Sequence, residues 1–174
     1  YNCKSSGFHQ HYGKENIIRN NIFAFNLLSQ LQATRVEKHL SFTFTNNIIY
    51  FNSGDLFGRN RGVNWHLLNQ SSDYNCFWDT RTKDVMFNDF SFSEWQAQGK
   101  DINSIIADPG FVNPQQFDFR FKRNNITRKI GLIPFDYTKA GVYGDPDWIK
   151  KAILNPQKIE AFNKIVNERV AHEK

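Results

Sequence analysis

Asn46-Asn47-Ile48-Ile49-Tyr50 lies between two echoes of itself, Asn20-Asn21-Ile22-Phe23 and Tyr74-Asn75-Cys76-Phe77-Trp78. Tyr1-Asn2-Cys3 reads as the first member of the series Asn2, Asn21, Asn47, Asn75, at intervals of 19, 26 and 28 residues. Such spacing marks a repeat in which each unit buries its apolar face only against its neighbours. The segments between the marks alternate as strands do, as in Ser41-Phe42-Thr43-Phe44-Thr45, rather than with helical period. Asparagine tolerates the left-handed backbone of a tight corner better than most non-glycine residues. Its amide can also bond the equivalent amide one coil on. Stacked coils would then set Cys3, Ile22, Ile48 and Cys76 one above another in a shared interior. A β sandwich also carries Asn-rich turns. The apolar residue after every asparagine favours the coil.

The 174 residues are enough for one domain with a substantial core, and 17 of them are phenylalanine. No apolar run reaches the roughly 18 residues of a membrane span. The net charge of +5 is dispersed: residues 1–100 carry ten Lys/Arg against eight Asp/Glu, and residues 101–174 carry twelve against nine. A nucleic-acid binder gathers its positive charge in one patch, so no nucleic-acid partner is expected. The chain starts at Tyr1, as expected of part of a longer or processed protein.

Two cysteines, three coils apart in this alignment, would stand about 14 Å from each other at about 4.8 Å per strand. A disulfide requires Cα atoms within about 7 Å. Two free, buried thiols are therefore expected. After Thr80 the pattern changes. Ser93 caps and Gly99 ends a short helix near 93–98. Residues 104–109 and 117–121 read as the last strands. Asp145-Pro146 opens one helix and a second begins near Pro156, with Ile159, Phe162, Ile165, Val166 and Val170 as an apolar packing stripe. The domain plan is β-helix coils over 1–121, then an extended segment and C-terminal helices over 122–174 that pack on the coil.

Gly7-Phe8-His9-Gln10-His11-Tyr12-Gly13-Lys14-Glu15-Asn16, followed by Ile17-Ile18-Arg19-Asn20-Asn21-Ile22, resembles the C-terminal part of bacterial right-handed parallel β-helix proteins of the pectate-lyase-like superfamily. The runs Ser104–Pro114 with Asp118-Phe119-Arg120, and Gly131–Asp136 with Ala140–Asp145, are similar to the closing segment of that family. Where the family has a Ser-Pro-Ala step after Asp-Phe-Arg, this chain has Lys122-Arg123-Asn124-Asn125-Ile126-Thr127. The resemblance implies an all-β, right-handed parallel β-helix and a secreted, periplasmic or cell-surface carbohydrate-active protein. A glycoside hydrolase is its first implication, a polysaccharide lyase acting on a uronate-containing glycan its second, and a non-catalytic glycan binder the alternative from another class. It implies a polysaccharide partner and no cofactor. The open first strand is expected to be covered by further N-terminal coils or by another chain.

Alternate residues of a strand share a face. With Phe8 and Leu31 inward, His9, His11, Gln30 and Gln32 would point outward, joined by Arg35 and Glu37 and edged by Lys14 and Glu15. Hydrolysis needs two carboxyl groups, and Glu15 and Glu37 are the candidates, with His11 as a third catalytic group. His9, Gln30, Gln32, Arg35 and Lys14 would bind substrate. In a lyase, His9 or His11 would be the base and Arg35 or Lys14 would neutralise the uronate. The same side chains also serve as stacking partners or solvated charges. A His-x-His pair needs a third ligand to hold metal; only His39 is near, and no metal site is expected. Tyr12, Trp65, Trp78 and Trp95 are candidate sugar platforms or core residues. Arg59 and Arg61, beside Asn60 and Gly62, read as a loop tip.

Overall fold

A computed structural model of the chain describes residues 1–58, 65–123, 125–137 and 140–173; Arg59, Asn60, Arg61 and Gly62 lie outside the described residues. The chain divides into two compact units, Tyr1–Ile133 and Pro134–Lys174.

The first unit is a parallel β-solenoid of about four turns. Each full coil contributes one strand to each of three sheets. Strands β1 (Phe8–Gln10), β2 (Asn16–Arg19) and β3 (Ile22–Ala24) form the first coil, and β4 (Ser29–Ala33), β5 (Phe42–Thr45) and β6 (Ile48–Phe51) the second. Strands β7 (Asp55–Phe57), β8 (Gln70–Asp73) and β9 (Cys76–Asp79) form the third, and β10 (Ile105–Ile106) begins a fourth. The sheet orders are β1-β4-β7, β2-β5-β8 and β3-β6-β9-β10, and all of these pairings are parallel. Within each sheet the step lengthens from coil to coil, as the register Ile22↔Ile48, Ile48↔Cys76, Cys76↔Ile105 shows for the third.

The interior is largely aromatic. Leu31, Phe42, Phe44, Ile49 and Phe77 are at most 1% exposed. Phe57 and Trp65 stack 4.3 Å apart with their planes 3° from parallel. The C-terminal end of the stack is closed by α1 (Phe92–Ala97), whose Trp95 is fully buried and lies 5.4 Å from the Phe57 ring. The N-cap of α1 is Ser91 rather than Ser93, because Ser91 and Glu94 bond reciprocally as a capping box. Gly99, at φ +80°, follows the C-cap Gln98 as expected. An antiparallel pair, β11 (Phe111–Asn113) and β12 (Asp118–Phe121), comes next.

One corner of each coil is held by a ladder. The Asn21 amide nitrogen donates to Asn47 Oδ1 at 3.0 Å, and that of Asn47 donates to Asn75 Oδ1 at 3.3 Å. The backbone N–H groups of Asn21 and Asn47 donate to the same two oxygens, each at 3.0 Å. At its C-terminal end the ladder is closed by Asp101 and Ser104. Asn75 N–H donates to Ser104 Oγ and the Asn75 amide to Asp101 Oδ1, at 2.8 and 3.0 Å. Each rung follows a left-handed residue: Asn20, Asn46 and Tyr74 have φ of 61°, 57° and 54°.

Tyr1-Asn2-Cys3 does not belong to this ladder. Asn2 N–H donates to Ala24 O as Phe25 N–H donates to Tyr50 O, which places Asn2 under Phe25 at the next corner along. The short first interval of the series has this cause. Cys3 therefore lies outside the column of Ile22, Ile48 and Cys76, and it is exposed rather than buried, while Cys76 is buried and both are free. Burial pushes the Cys76 thiol up to about 12.

Residues 122–133, read from the sequence as extended, contain α2 (Asn125–Ile130). The asparagines that form the left-handed corners hold it in place: the Asn46 amide donates to Ile130 O, and Asn20 exchanges bonds of 2.9 and 2.6 Å with Ile133. In the second unit, Asp145 caps α3 (Pro146–Ala152) and α4 runs Pro156–Glu173. On α4, Val166 is buried, whereas Ile159, Phe162 and Ile165 are 40–63% exposed. The Val170 side chain lies outside the described residues.

Replacing Asn47 with Leu strands the Asn21 donors and removes the side-chain amide that donates to Asn75 Oδ1 and Ile18 O. It is expected to cost about 2–4 kcal/mol in urea unfolding, since each buried polar group left unpaired costs about 1–3 kcal/mol. Asn52→Ala, at an exposed turn position, is expected to stay within about 0.5 kcal/mol. A thiol reagent at pH 8 should label Cys3 at once and Cys76 only on unfolding, counted by mass spectrometry. Because the folded Cys76 value lies above the ordinary 9, its contribution to stability is complete below pH 9. It falls away as pH rises towards 12.

Candidate functional site

The corner that follows β1 and β4 brings together three of the expected site residues, His9, His11 and Arg35, with Tyr12 and Thr34. The register His9↔Gln32 and Gln10↔Ala33 brings Thr34, just beyond β4, beside the end of β1. His9 Nε2 and His11 Nδ1 both bond Thr34 Oγ1, at 3.2 and 2.7 Å. The two imidazole rings are 6.0 Å apart. His11 meets the Tyr12 ring edge-on at 4.4 Å, and the Arg35 guanidinium stands over that ring at 4.9 Å. Tyr12 is 61% exposed. His39 Nε2 bonds Gly13 O at 3.1 Å, which pins the following turn against the next coil. The arrangement offers an aromatic ring, a cation, two imidazoles and a hydroxyl on one exposed corner. Among the described residues, no three His, Cys, Asp or Glu side chains are grouped to hold a metal.

The two glutamines do not join the patch. Gln30 is fully buried: it bonds Asn26 through its backbone and amide groups and donates to Ser53 O at 2.9 Å. Gln32 is 9% exposed and accepts from Ser5 Oγ. Alternation along β4 failed as a guide because its outward positions are covered too, Gln30 by Asn26 and Ser53 and Gln32 by Ser5, so that all five of its residues are buried. The carboxylates stand apart from the rings. Glu15 pairs with Lys14 at 3.5 Å, both side chains being 63% exposed. Glu37 is half-buried and makes no hydrogen bond or ion pair among the described residues. Trp65 and Trp95 are core residues, and Trp78 is half-buried on β9.

A second concavity, unforeseen from the sequence, opens beside β7 and the segment after β9. It encloses about 180 Å³, with Phe51, Leu56 and Phe57 contributing apolar walls. Asp55, Asp79, Arg81, Thr82, Asp84, Met86 and Asn88 also line it. Asp79 and Arg81 form a bidentate pair, Nε–Oδ1 at 2.8 Å and Nη2–Oδ2 at 2.7 Å, and Arg81 also donates to Gly54 O. Gly54 is required there: its φ is +65° and an added Cβ would collide with Leu28 O. The signal available in the sequence was Asp79-Thr80-Arg81-Thr82-Lys83-Asp84, a charged run where the repeat breaks.

No protein-family model, no curated protein and no solved structure matches this chain.

Asp79 is 5% exposed, so Arg81→Leu leaves a nearly buried carboxylate without its main partner. A loss of about 1.5–3 kcal/mol is expected, the range for hydrogen bonds to charged groups. Denaturant midpoints of the variant and the parent chain check it.

Proposed function

We propose that this chain is a carbohydrate-recognising β-solenoid of the pectate-lyase-like kind, with the sugar held at the corner formed by His9, His11, Tyr12, Thr34 and Arg35. The observation that carries the reading is the exposed Tyr12 ring, fixed by His11 at its edge and Arg35 over it, beside two imidazoles that share one hydroxyl. Sugars present alternating apolar C–H faces and hydroxyls. A fixed ring accepts the former, and side chains that both donate and accept hydrogen bonds match the latter. A polysaccharide partner would place the protein outside the cytoplasm, as a secreted, periplasmic or surface protein.

Glycoside hydrolysis is the second reading, and the half-buried, unengaged Glu37 favours it. Glu37 would act with Glu15, and His11 would assist. A uronate lyase has less support, because Lys14 is paired with Glu15 and Arg35 lies on Tyr12, so neither cation is free of other contacts.

A polysaccharide panel separates the readings. Tyr12→Ala and His11→Ala are each expected to weaken glycan binding tenfold or more, about 1.4 kcal/mol, with the unfolding midpoint unchanged. New reducing ends that disappear in Glu37→Gln, with binding retained, would assign hydrolysis. An unsaturated product absorbing in the ultraviolet would assign the lyase. Binding to no glycan, or binding indifferent to Tyr12 and His11, would overturn the carbohydrate reading.

A further inference from the structure

The two ends of the asparagine ladder differ. At the C-terminal end, Asp101 is 1% exposed and accepts from Ser72 Oγ, Asn75 Nδ2, Trp95 Nε1 and Ser104 Oγ at 2.6–3.0 Å. At the N-terminal end, Asn21 donates its N–H to Asn47 and its amide to Asn47 and Arg19. Its own Oδ1 accepts nothing among the described residues. Every other rung oxygen, Asn47 Oδ1 and Asn75 Oδ1, accepts two donors from the coil before it.

The packing has the same polarity. Phe8, Ile18 and Phe23 are only partly buried, yet their partners one coil later, Leu31, Phe44 and Ile49, are at most 1% exposed. Strands β1, β2 and β3 stand at the ends of their sheets, so one side of each lacks a neighbouring strand, save that Asn2 N–H already bonds Ala24 O at the end of β3. Ile17, on β2, is 70% exposed.

We infer that the first-coil face, Phe8–Gln10, Asn16–Arg19 and Ile22–Ala24 with Asn21 at its corner, is a docking surface for one further parallel β-coil that carries an amide donor under Asn21. The ladder selects this occupant. What fits must extend three sheets in parallel, put apolar side chains beneath Phe8, Ile18 and Phe23, and donate two N–H groups to Asn21 Oδ1, as Asn21 does to Asn47. A second copy of this chain does not meet these terms. Stacked head to head, it brings an Asn21 whose donors are already engaged. Stacked head to tail, it offers the end closed by Asp101 and α1. Of the glycan corner only His9, on β1, also lies on this surface; Tyr12 and His11, the residues substituted to test glycan binding, lie outside it, so the two readings fail separately.

The chain supplies its own test coil. Tyr1 lies one coil before Ala24, as Ala24 lies one coil before Tyr50, because Asn2 and Phe25 make equivalent bonds to Ala24 O and Tyr50 O. A copy of residues 25–49 fused ahead of Tyr1 therefore continues the register and sets its asparagine ladder residue under Asn21. The fusion is expected to remain monomeric and to raise Tm by about 5 °C or more, a few degrees per kcal/mol being usual at this size. It should also slow hydrogen exchange at residues 8–24. Asn47→Leu made in the fused copy alone should remove at least half of the gain, and a scrambled copy should give none. A folded fusion with unchanged Tm and unprotected first-coil amides would overturn the proposal. So would a stable dimer of the unfused chain, by light scattering, that already protects those amides, for a second copy would then be the occupant.

Discussion

The amide ladder from Asn21 through Asn47 and Asn75 to Asp101 and Ser104 is the constraint on which the rest of the first unit depends. A solenoid has no single closed core, so each coil must be told where to sit on the next. Backbone pairing between parallel strands leaves register open to slippage. The ladder closes that freedom, because a shift of one residue would strand several buried donors at once. Each rung contributes about 1 kcal/mol net, but leaving a rung unmade costs more than making it gains. Once the corner is fixed, the columns Phe8–Leu31–Phe57 and Ile18–Phe44 follow from the register.

With that corner fixed, the remaining corners can vary in length, and coils of unequal length stack without disturbing the interior. Chemistry gathers where the length varies. The His9–His11–Tyr12–Arg35 corner follows the first strand of its coil. The Asp79–Arg81 concavity lies where the fourth turn leaves the regular path. Both are surface loops positioned by a rigid scaffold, the usual location of binding groups. The left-handed asparagines also serve a second purpose, since Asn20 and Asn46 hold α2 and the residues after it.

The legible parts of the sequence were those with a local cause. Asn-Asn-Ile-Ile announced a left-handed corner followed by a buried strand, and Asp145-Pro146 announced a helix start. The short interval from Asn2 to Asn21 was the one discordant element in the repeat, and it marked the place where the alignment failed. Ser91 and Ser93 both precede Glu94, and only the capping box distinguishes them. For the candidate site, strand parity put His9 and His11 on one outward face, whereas Tyr12, on the opposite parity, met His11 and Arg35 only in the folded corner. Gln30 obeyed the same parity but turned into a network with Asn26 and Ser53 that belongs to another corner of the coil.

The sequence by itself therefore determined the coil: where its corners recur from Asn21 onward, that Asn21, Asn47 and Asn75 stack, and which strands face its interior. These are short-range properties, set by side-chain volume, left-handed tolerance and period. Only the tertiary structure decided which polar side chains remain available. Burial is conferred by neighbouring coils, whose lengths differ and whose loops cover some outward positions and leave others open. Thus Gln30 and Gln32 became structural, Cys3 became exposed, and Asp79 and Arg81 met in a concavity no repeat pattern marks. The ladder residues were written in the chain, but the unfilled acceptor at Asn21 became visible only once the coils were stacked and their donors counted.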